Sequence, residues 1–460
     1  MKSFTKAKYL RTILILLLLP TILSFFSGCS ESGSSRKKIL KIYNWTDYID
    51  EDLLTEFPKW YKEQTGEDVE IMYQVFDMPE VMYTKVALGH EDFDLVCPTQ
   101  YLIERMMKNG MLQPMIRDFG KTQNYLGNIS PFLRDRMDAF SVPGMKAEDY
   151  MVPYMWSTSG LLYNTKLISK AEVESWACLW NPKNKGKILM KDHYWDIYNM
   201  AAIYGFYPEI VSGKRTRYNV SNDHTDGDIA MVEKQLKLMK PNLAGWEADF
   251  GKEMMTKGVI WIDYAWSGDA VWAIEEAASV NVSLDYVIPR EGSNFSFDGW
   301  VIPKYARNVK AASYFLNYLC QSDIALRNMN VSGYTSAVAT PEIAEAQIDS
   351  TLAETVNLNY FFGPGHGNMK VNSVQYPDSA EISRCVLLHD FLDKNDMVLE
   401  MWSRMKGDSL NTGMAILILG SFSAIAAWLI SIRVAKYRSK RRRLRRYSND
   451  KPKPAVASEF

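Results

Sequence analysis

KILKIY (Lys38 to Tyr43) runs straight into NWTDY (Asn44 to Tyr48), and an amphipathic segment begins near Asp50. The first run is apolar enough to form an opening β-strand. Two large aromatics, a hydroxyl and a carboxylate therefore sit where a strand ends and a helix begins. In open α/β sheets, ligands bind at that edge. Aromatic faces combined with carboxylates suit an amine cation better than a phosphate or a sugar acid.

Outward from this stretch the body keeps an α/β pattern. Short β-rich runs (VEIMYQV, FDLVCPT, YMVPYMW, GVIWIDYAW, DYVIP) alternate with helical stretches such as 78–89, 102–110, 228–239 and 310–321. Strands separated by helices predict parallel sheets wrapped in helices. The stretch 363–374, GPGHGNMKVNSV, reads as a surface loop. No internal repeat is present.

The two ends of the 460-residue chain read differently from its body. Lys2, Lys6, Lys8 and Arg11 precede the apolar run Thr12–Phe26, which predicts a signal peptide over 1–28. Phe26-Ser27-Gly28-Cys29 resembles a bacterial lipoprotein cleavage site, with Cys29 as the lipidated first residue. Residues 29–38 then read as a flexible tether. Near the other end, Gly413–Ile432 is twenty residues without a charge, enough for one transmembrane helix. Nine basic residues follow between Arg433 and Arg446. They place the tail 433–460 in the cytoplasm and the body on the periplasmic side of the inner membrane.

Of 53 basic residues, four lie in 1–29 and eleven in 433–460; of 54 acidic residues, none and two do. The body, 30–432, therefore carries 38 basic and 52 acidic residues, a net charge of −14. Such a body does not suit nucleic acid and mildly favours cationic ligands. Beyond Cys29 there are Cys97, Cys178, Cys320 and Cys385, enough for one or two disulfides in an oxidising compartment. Cys97 and Cys320 sit in apolar runs, as plain buried thiols do.

Catalytic signatures are missing. The chain has no G-x-S-x-G elbow, no H-E-x-x-H, no Walker loop and no dinucleotide fingerprint. His90, His193, His224, His366 and His389 show no metal-ligand spacing. The reading is of a protein with no catalytic residue, no metal and no cofactor.

Seven ordered motifs carry a family resemblance. They are YNWTDYI (43–49), MYTKV (82–86), FDLVCPTQYLIERMMKNGML (93–112), VPYMWSTSGLLYN (152–164), WACLWNPKNKGKILMKD (176–192), IDYAWSGDA (262–270) and EGSNFSFDGWVIP (291–303). Together they resemble the periplasmic spermidine/putrescine-binding proteins of polyamine ABC transporters, a branch of the type II periplasmic binding fold. The resemblance implies two α/β lobes closing like a clamshell: lobe 1 over 39–148 and 297–338, lobe 2 over 151–294 and 343–406. The crossings would fall near Met151–Pro153 and Arg290–Ser296.

It also implies ligand contacts by Trp45, Thr46, Tyr48, Thr99, Tyr101, Trp266, Asp298 and Tyr334. Asp298, read as a loop residue, would grip an amine. Asp47, His193 and Ser296 are weaker candidates. The chain departs from the family at Asp192-His193-Tyr194-Trp195-Asp196, where an Asp-Asp-x-Arg-Glu pattern is common. Asp196 is still expected to bind a terminal amine. His193 replaces a carboxylate, so one anionic contact is lost. Ser296 stands where an aromatic is common. The implied function is capture of spermidine or putrescine and delivery to an ABC permease at the membrane. The alternatives are a polyamine-sensing receptor subunit and the same fold binding another organic cation, such as agmatine.

Overall fold

The computed structural model describes residues 36–140, 142–248 and 250–407. The expected signal (1–28), lipidated Cys29, span Gly413–Ile432 and basic tail (433–460) lie outside the described residues. Among the described residues no helix is long and apolar enough to cross a membrane.

The strands are β1 (Ile39–Trp45), β2 (Glu70–Phe76), β3 (Leu95–Val96), β4 (Met151–Asn164), β5 (Ile188–Lys191), β6 (Leu243–Glu247), β7 (Ile262–Trp266), β8 (Leu284–Val287), β9 (Ser293–Val301), β10 (Thr335–Ser336) and β11 (Cys385–Leu387). The longer helices are α1 (Asp52–Thr65), α2 (Pro79–Ala87), α3 (Gln100–Lys108), α4 (Tyr194–Gly205), α5 (Asp226–Met239), α6 (Ser267–Ser279), α7 (Val309–Leu319) and α8 (Asn395–Gly407). The chain divides into two units, the first ending at Asn395 and the second beginning at Asp396 within α8.

The strands run in the order β2-β1-β3-β9-β4-β7-β5-β6, with β8 and β10 also on β4 and β11 on β9. Pairing is parallel for β1 with β2 and β3, and for β5 with β6 and β7. The expectation of purely parallel sheets needs correction. β4 and β9 run antiparallel, from Met151 opposite Val301 to Thr158 opposite Phe295. Every residue of β4 is buried. Its first half pairs β9; its second half, Ser159–Asn164, pairs β7 and β8. One strand thus serves two half-sheets, which a run of separate β-helix units cannot do. The stretches read as crossings lie at the start of β4 and across the start of β9.

Local chemistry explains the elements. In α1, Leu53, Phe57 and Tyr61 recur every four residues and are buried, the stripe a surface helix needs. The helix stops at Gly66, whose φ of 75° is the left-handed conformation glycine adopts without penalty. FDLVCPT yields only two strand residues. Asp94 instead uses its carboxylate to accept from the backbone N–H of Lys41, Arg307 and Asn308 at 2.8–2.9 Å.

Three further expectations change. Arg36, placed in the tether, is buried and its guanidinium bridges Asp92 and Asp94, each at 2.9 Å. A buried cation must be paired, and these two carboxylates pair it, so Arg36 belongs to the folded body and not to a tether. The stretch 363–374 has no strand or helix, yet Met369 and Val371 are buried, because two apolar side chains anchor it. Cys97, Cys178, Cys320 and Cys385 are all free and buried, so the disulfides allowed by their number do not form.

Candidate functional site

Parallel pairing on both sides of β1 holds NWTDY at the C-terminal edge of the sheet. Thr46 donates its backbone N–H to Phe76 O at 3.3 Å and its hydroxyl to Asp77 at 2.5 Å. Asp47 takes a left-handed φ of 52°, a conformation Asp tolerates better than most residues. The Tyr48 hydroxyl donates to Asp298 Oδ2 at 2.7 Å, and Thr99, just before α3, donates to Asp298 Oδ1 at 2.7 Å. Asp298 is not in a loop: it lies within β9, where alternation turns it towards the cleft between buried Phe297 and Trp300.

These residues line one cleft of about 990 Å³, its open mouth included. All the residues singled out from the sequence reach its wall. Trp45 stands at one end, its ring 4.5 Å from Phe76. Tyr101 is stacked on Trp195 at 3.9 Å with its hydroxyl buried and unpartnered. Tyr334 meets Tyr48 edge to face at 5.1 Å. Ser296 sits opposite Ser157 in the β4–β9 ladder. Trp266, His193 and Asp196 form the far wall with Asp47 and Thr46 also on the lining.

Sequence reasoning missed Asp77, Trp195, Lys252 and Asp269, which share the lining. Asp269 lay inside the quoted IDYAWSGDA, and Trp195 inside the divergent 192–196 stretch. Lys252 carried no signal, being distant from every motif.

The carboxylates differ in their surroundings. Burial pushes Asp298 up to about 6, although hydrogen bonds from Thr99 and Tyr48 oppose the rise. Burial acts on Asp196 in the same direction, but the His193 ring, Trp266 and Asn294 outweigh it and hold it below the usual aspartate range. Asp196 Oδ1 accepts from Asn294 Nδ2 at 2.8 Å and Oδ2 from Trp266 Nε1 at 2.8 Å. His193 Nδ1 lies 2.9 Å from the same Oδ2, close enough to pair charges though not aligned as a hydrogen bond. The expected terminal-amine carboxylate is therefore already engaged by the protein.

Behind this wall lies an internal cation. Lys191 is buried between Glu247 at 2.8 Å and Asp269 at 2.9 Å, and its ammonium stands 4.6 Å over the Trp266 ring. Burial pulls its pKa down, but Asp269 and Glu247 outweigh that and keep it charged. Burial and the nearby Glu247 push Asp263 well up, towards the neutral acid. Asp269 also accepts from the Tyr334 hydroxyl at 3.2 Å and has Lys252 at 3.9 Å. Among the described residues no group of three or more His, Cys, Asp or Glu is placed to hold a metal. The cleft offers aromatic walls, a carboxylate within the sheet hydrogen-bonded by two hydroxyls, and a far wall whose carboxylates already face cations.

Comparison with known proteins gives consistent likenesses. The profile of a family described as bacterial extracellular solute-binding protein matches residues 59–353. The chain is 28% identical to the spermidine/putrescine-binding periplasmic protein of Escherichia coli K12 over 340 residues, 72% of this chain and 88% of that protein. It is 29% identical to the putrescine-binding periplasmic protein PotF of the same organism over 325 residues, 68% of this chain and 81% of that one. Among solved structures, the spermidine/putrescine ABC transporter substrate-binding protein PotD of Streptococcus pneumoniae superposes with a TM-score of 0.60 at 26% identity. That match covers 80% of this chain and 98% of that one.

Proposed function

The chain belongs to the family of bacterial extracellular solute-binding proteins, and on that premise we propose that its cleft captures a polyamine and delivers it to an ABC transporter permease. The observation that carries this reading is Asp298. Its carboxylate sits on the cleft wall, hydrogen-bonded by two hydroxyls and in direct ion-pair contact with no protein cation among the described residues, the His193 ring acting on it only at longer range. A ligand ammonium can supply the missing charge and donate up to three hydrogen bonds. The methylene chain would lie along Trp45, Tyr48 and Tyr334, whose faces are both apolar and attractive to cations, at ~0.5–2 kcal/mol per well-placed ring. Relatives named for spermidine and putrescine support the same ligand class.

Two lobes, 39–148 with 297–338 and 151–294 with 343–406, would close over the ligand about β4 and β9. No chemistry is performed on it, and the transporter would supply the energy. Lipidated Cys29 and the span Gly413–Ile432 would hold the body at the outer face of the inner membrane. Calorimetric titration of the full-length protein in detergent with putrescine, spermidine and agmatine tests the reading. Micromolar or tighter binding, about −8 kcal/mol, is expected for at least one. Silence from all three on folded, ligand-free protein overturns it.

A further inference from the structure

We propose that His193 is a resident cation that a second ligand ammonium must discharge, so that the cleft prefers a diamine to a triamine and releases a proton on binding it. The inference rests on the polyamine reading above. Of the five aspartates on the lining, Asp47 and Asp77 lie on or beside the NWTDY edge, and the other three differ in what already meets them. Asp298 meets two neutral hydroxyls. Asp269 is 2.9 Å from the Lys191 ammonium, with Lys252 at 3.9 Å. Asp196 has the His193 ring at 2.9 Å and also accepts from Trp266 and Asn294. One end of the cleft is therefore open to an ammonium and the other is occupied by cations of the protein.

Of those cations, His193 is the one that titrates near neutrality. It precedes α4, partly exposed to the cleft, at 15% of its side chain. The Trp266 ring packs edge-on at 5.7 Å and the Tyr101 ring lies at 6.3 Å. The charged groups bearing on it are Asp196 on its own helix, Glu80 on α2 and Asp298 on β9. Burial opposes its protonation, but these three carboxylates outweigh burial and raise its pKa above the ordinary value. In the free cleft the imidazolium neutralises Asp196.

An ammonium arriving at Asp196 Oδ2 brings a second positive charge to one carboxylate, in a site with little water to screen it. The proton balance is simple. The ligand keeps its own protons and donates one hydrogen bond to Asp196, while the imidazolium gives one proton to solvent. By linkage, affinity for such a ligand rises with pH between the bound and free pKa values of His193. A triamine brings one more charge to an end that already holds Lys191 and Lys252, where both carboxylates, Asp196 and Asp269, already face protein cations.

Calorimetry of the full-length protein with putrescine at pH 7, in two buffers of unlike ionisation enthalpy, reads the proton directly. Wild type is expected to release protons on binding, and to bind putrescine at least about fivefold tighter than spermidine. In His193→Gln the release is expected to fall to the small share left by Asp298, whose pKa near 6 lies below the working pH. His193→Asp keeps the fold, because Asp is favoured at the residue before a helix. It should shift preference towards spermidine about tenfold. Wild-type binding without proton release, or His193→Gln releasing as many protons as wild type, overturns the inference while leaving polyamine binding intact. No binding of any polyamine by wild type overturns the proposed function and this inference with it.

Discussion

Asp298 and Asp196 are carboxylates lining one cleft, yet the first is held by two hydroxyls and the second by an imidazole, an indole and an amide. Burial raises Asp298 to about 6, whereas the same burial at Asp196 is outweighed by its neighbours. A carboxylate with neutral partners stores an unmet demand for positive charge; one with a cationic partner has that demand met before the ligand arrives. The difference assigns the ends of the cleft unequal roles. The Asp298 end supplies affinity, and the Asp196 end supplies discrimination.

Removing the affinity end should do the most damage. Asp298→Asn keeps one acceptor oxygen, and the second hydroxyl can turn to accept from the amide, but a ligand ammonium is left unpaired, which costs about 2–5 kcal/mol. Putrescine affinity at pH 7.5 should fall at least about thirtyfold, with the ligand-free melting temperature nearly unchanged. A fall of less than threefold would move the affinity end elsewhere. Acid reaches the same group more gently. The ionised carboxylate binds the ammonium, so the bound pKa lies below the free value of about 6. Affinity is complete above that value and is lost as pH falls through it, by up to about tenfold per pH unit. Asp298→Asn should abolish this lower limb of the profile, and His193→Gln the limb above it.

The two ends were not equally legible in the sequence. NWTDY could be placed at a sheet edge because strand, turn and aromatics are adjacent in the chain. Asp298 is 250 residues from Tyr48 and 199 from Thr99, so no local pattern marks it; family resemblance did. Composition also misplaced it: the small and aromatic residues of FSFDGW read as a loop, whereas they pair with β4 as a strand. At the other end, His193 was visible as a lost carboxylate. Its meaning as a cation was not, since that depends on the 2.9 Å approach to Asp196. Lys252 and Lys191 are invisible for the same reason: an ion pair is a tertiary fact, and a lysine in a helix or strand looks the same with or without one.

Packing between the ends offers the next largest effect. Gly268, in the first turn of α6, has no room for a side chain: a Cβ there would lie 2.3–2.6 Å from the Tyr334 ring. Alanine suits a helix, so Gly268→Ala should spare α6 and act by pushing Tyr334 away from the Asp269 wall. Overpacking of this kind costs about 1–3 kcal/mol. Putrescine affinity is expected to fall about tenfold, with a smaller ligand-induced rise in melting temperature. Unchanged affinity would mean that the two walls need not approach to hold the ligand.

Tyr334→Phe asks for the smallest change and sharpens the comparison furthest. The ring that meets Tyr48 stays, and only the 3.2 Å hydrogen bond to Asp269 Oδ1 is lost. Asp269 keeps Lys191 at 2.9 Å, so its charge is not left bare. A hydrogen bond to a charged group that retains another partner contributes at the lower end of its range, about 0.5–1.5 kcal/mol. Affinity should therefore fall about threefold, and the pH profile should not move, because neither His193 nor Asp298 loses a partner. If Tyr334→Phe instead weakened binding as much as Gly268→Ala, the hydroxyl rather than the ring would join the walls. The cation-bearing end would then take a direct part in affinity, and the division of labour between Asp298 and Asp196 would fail.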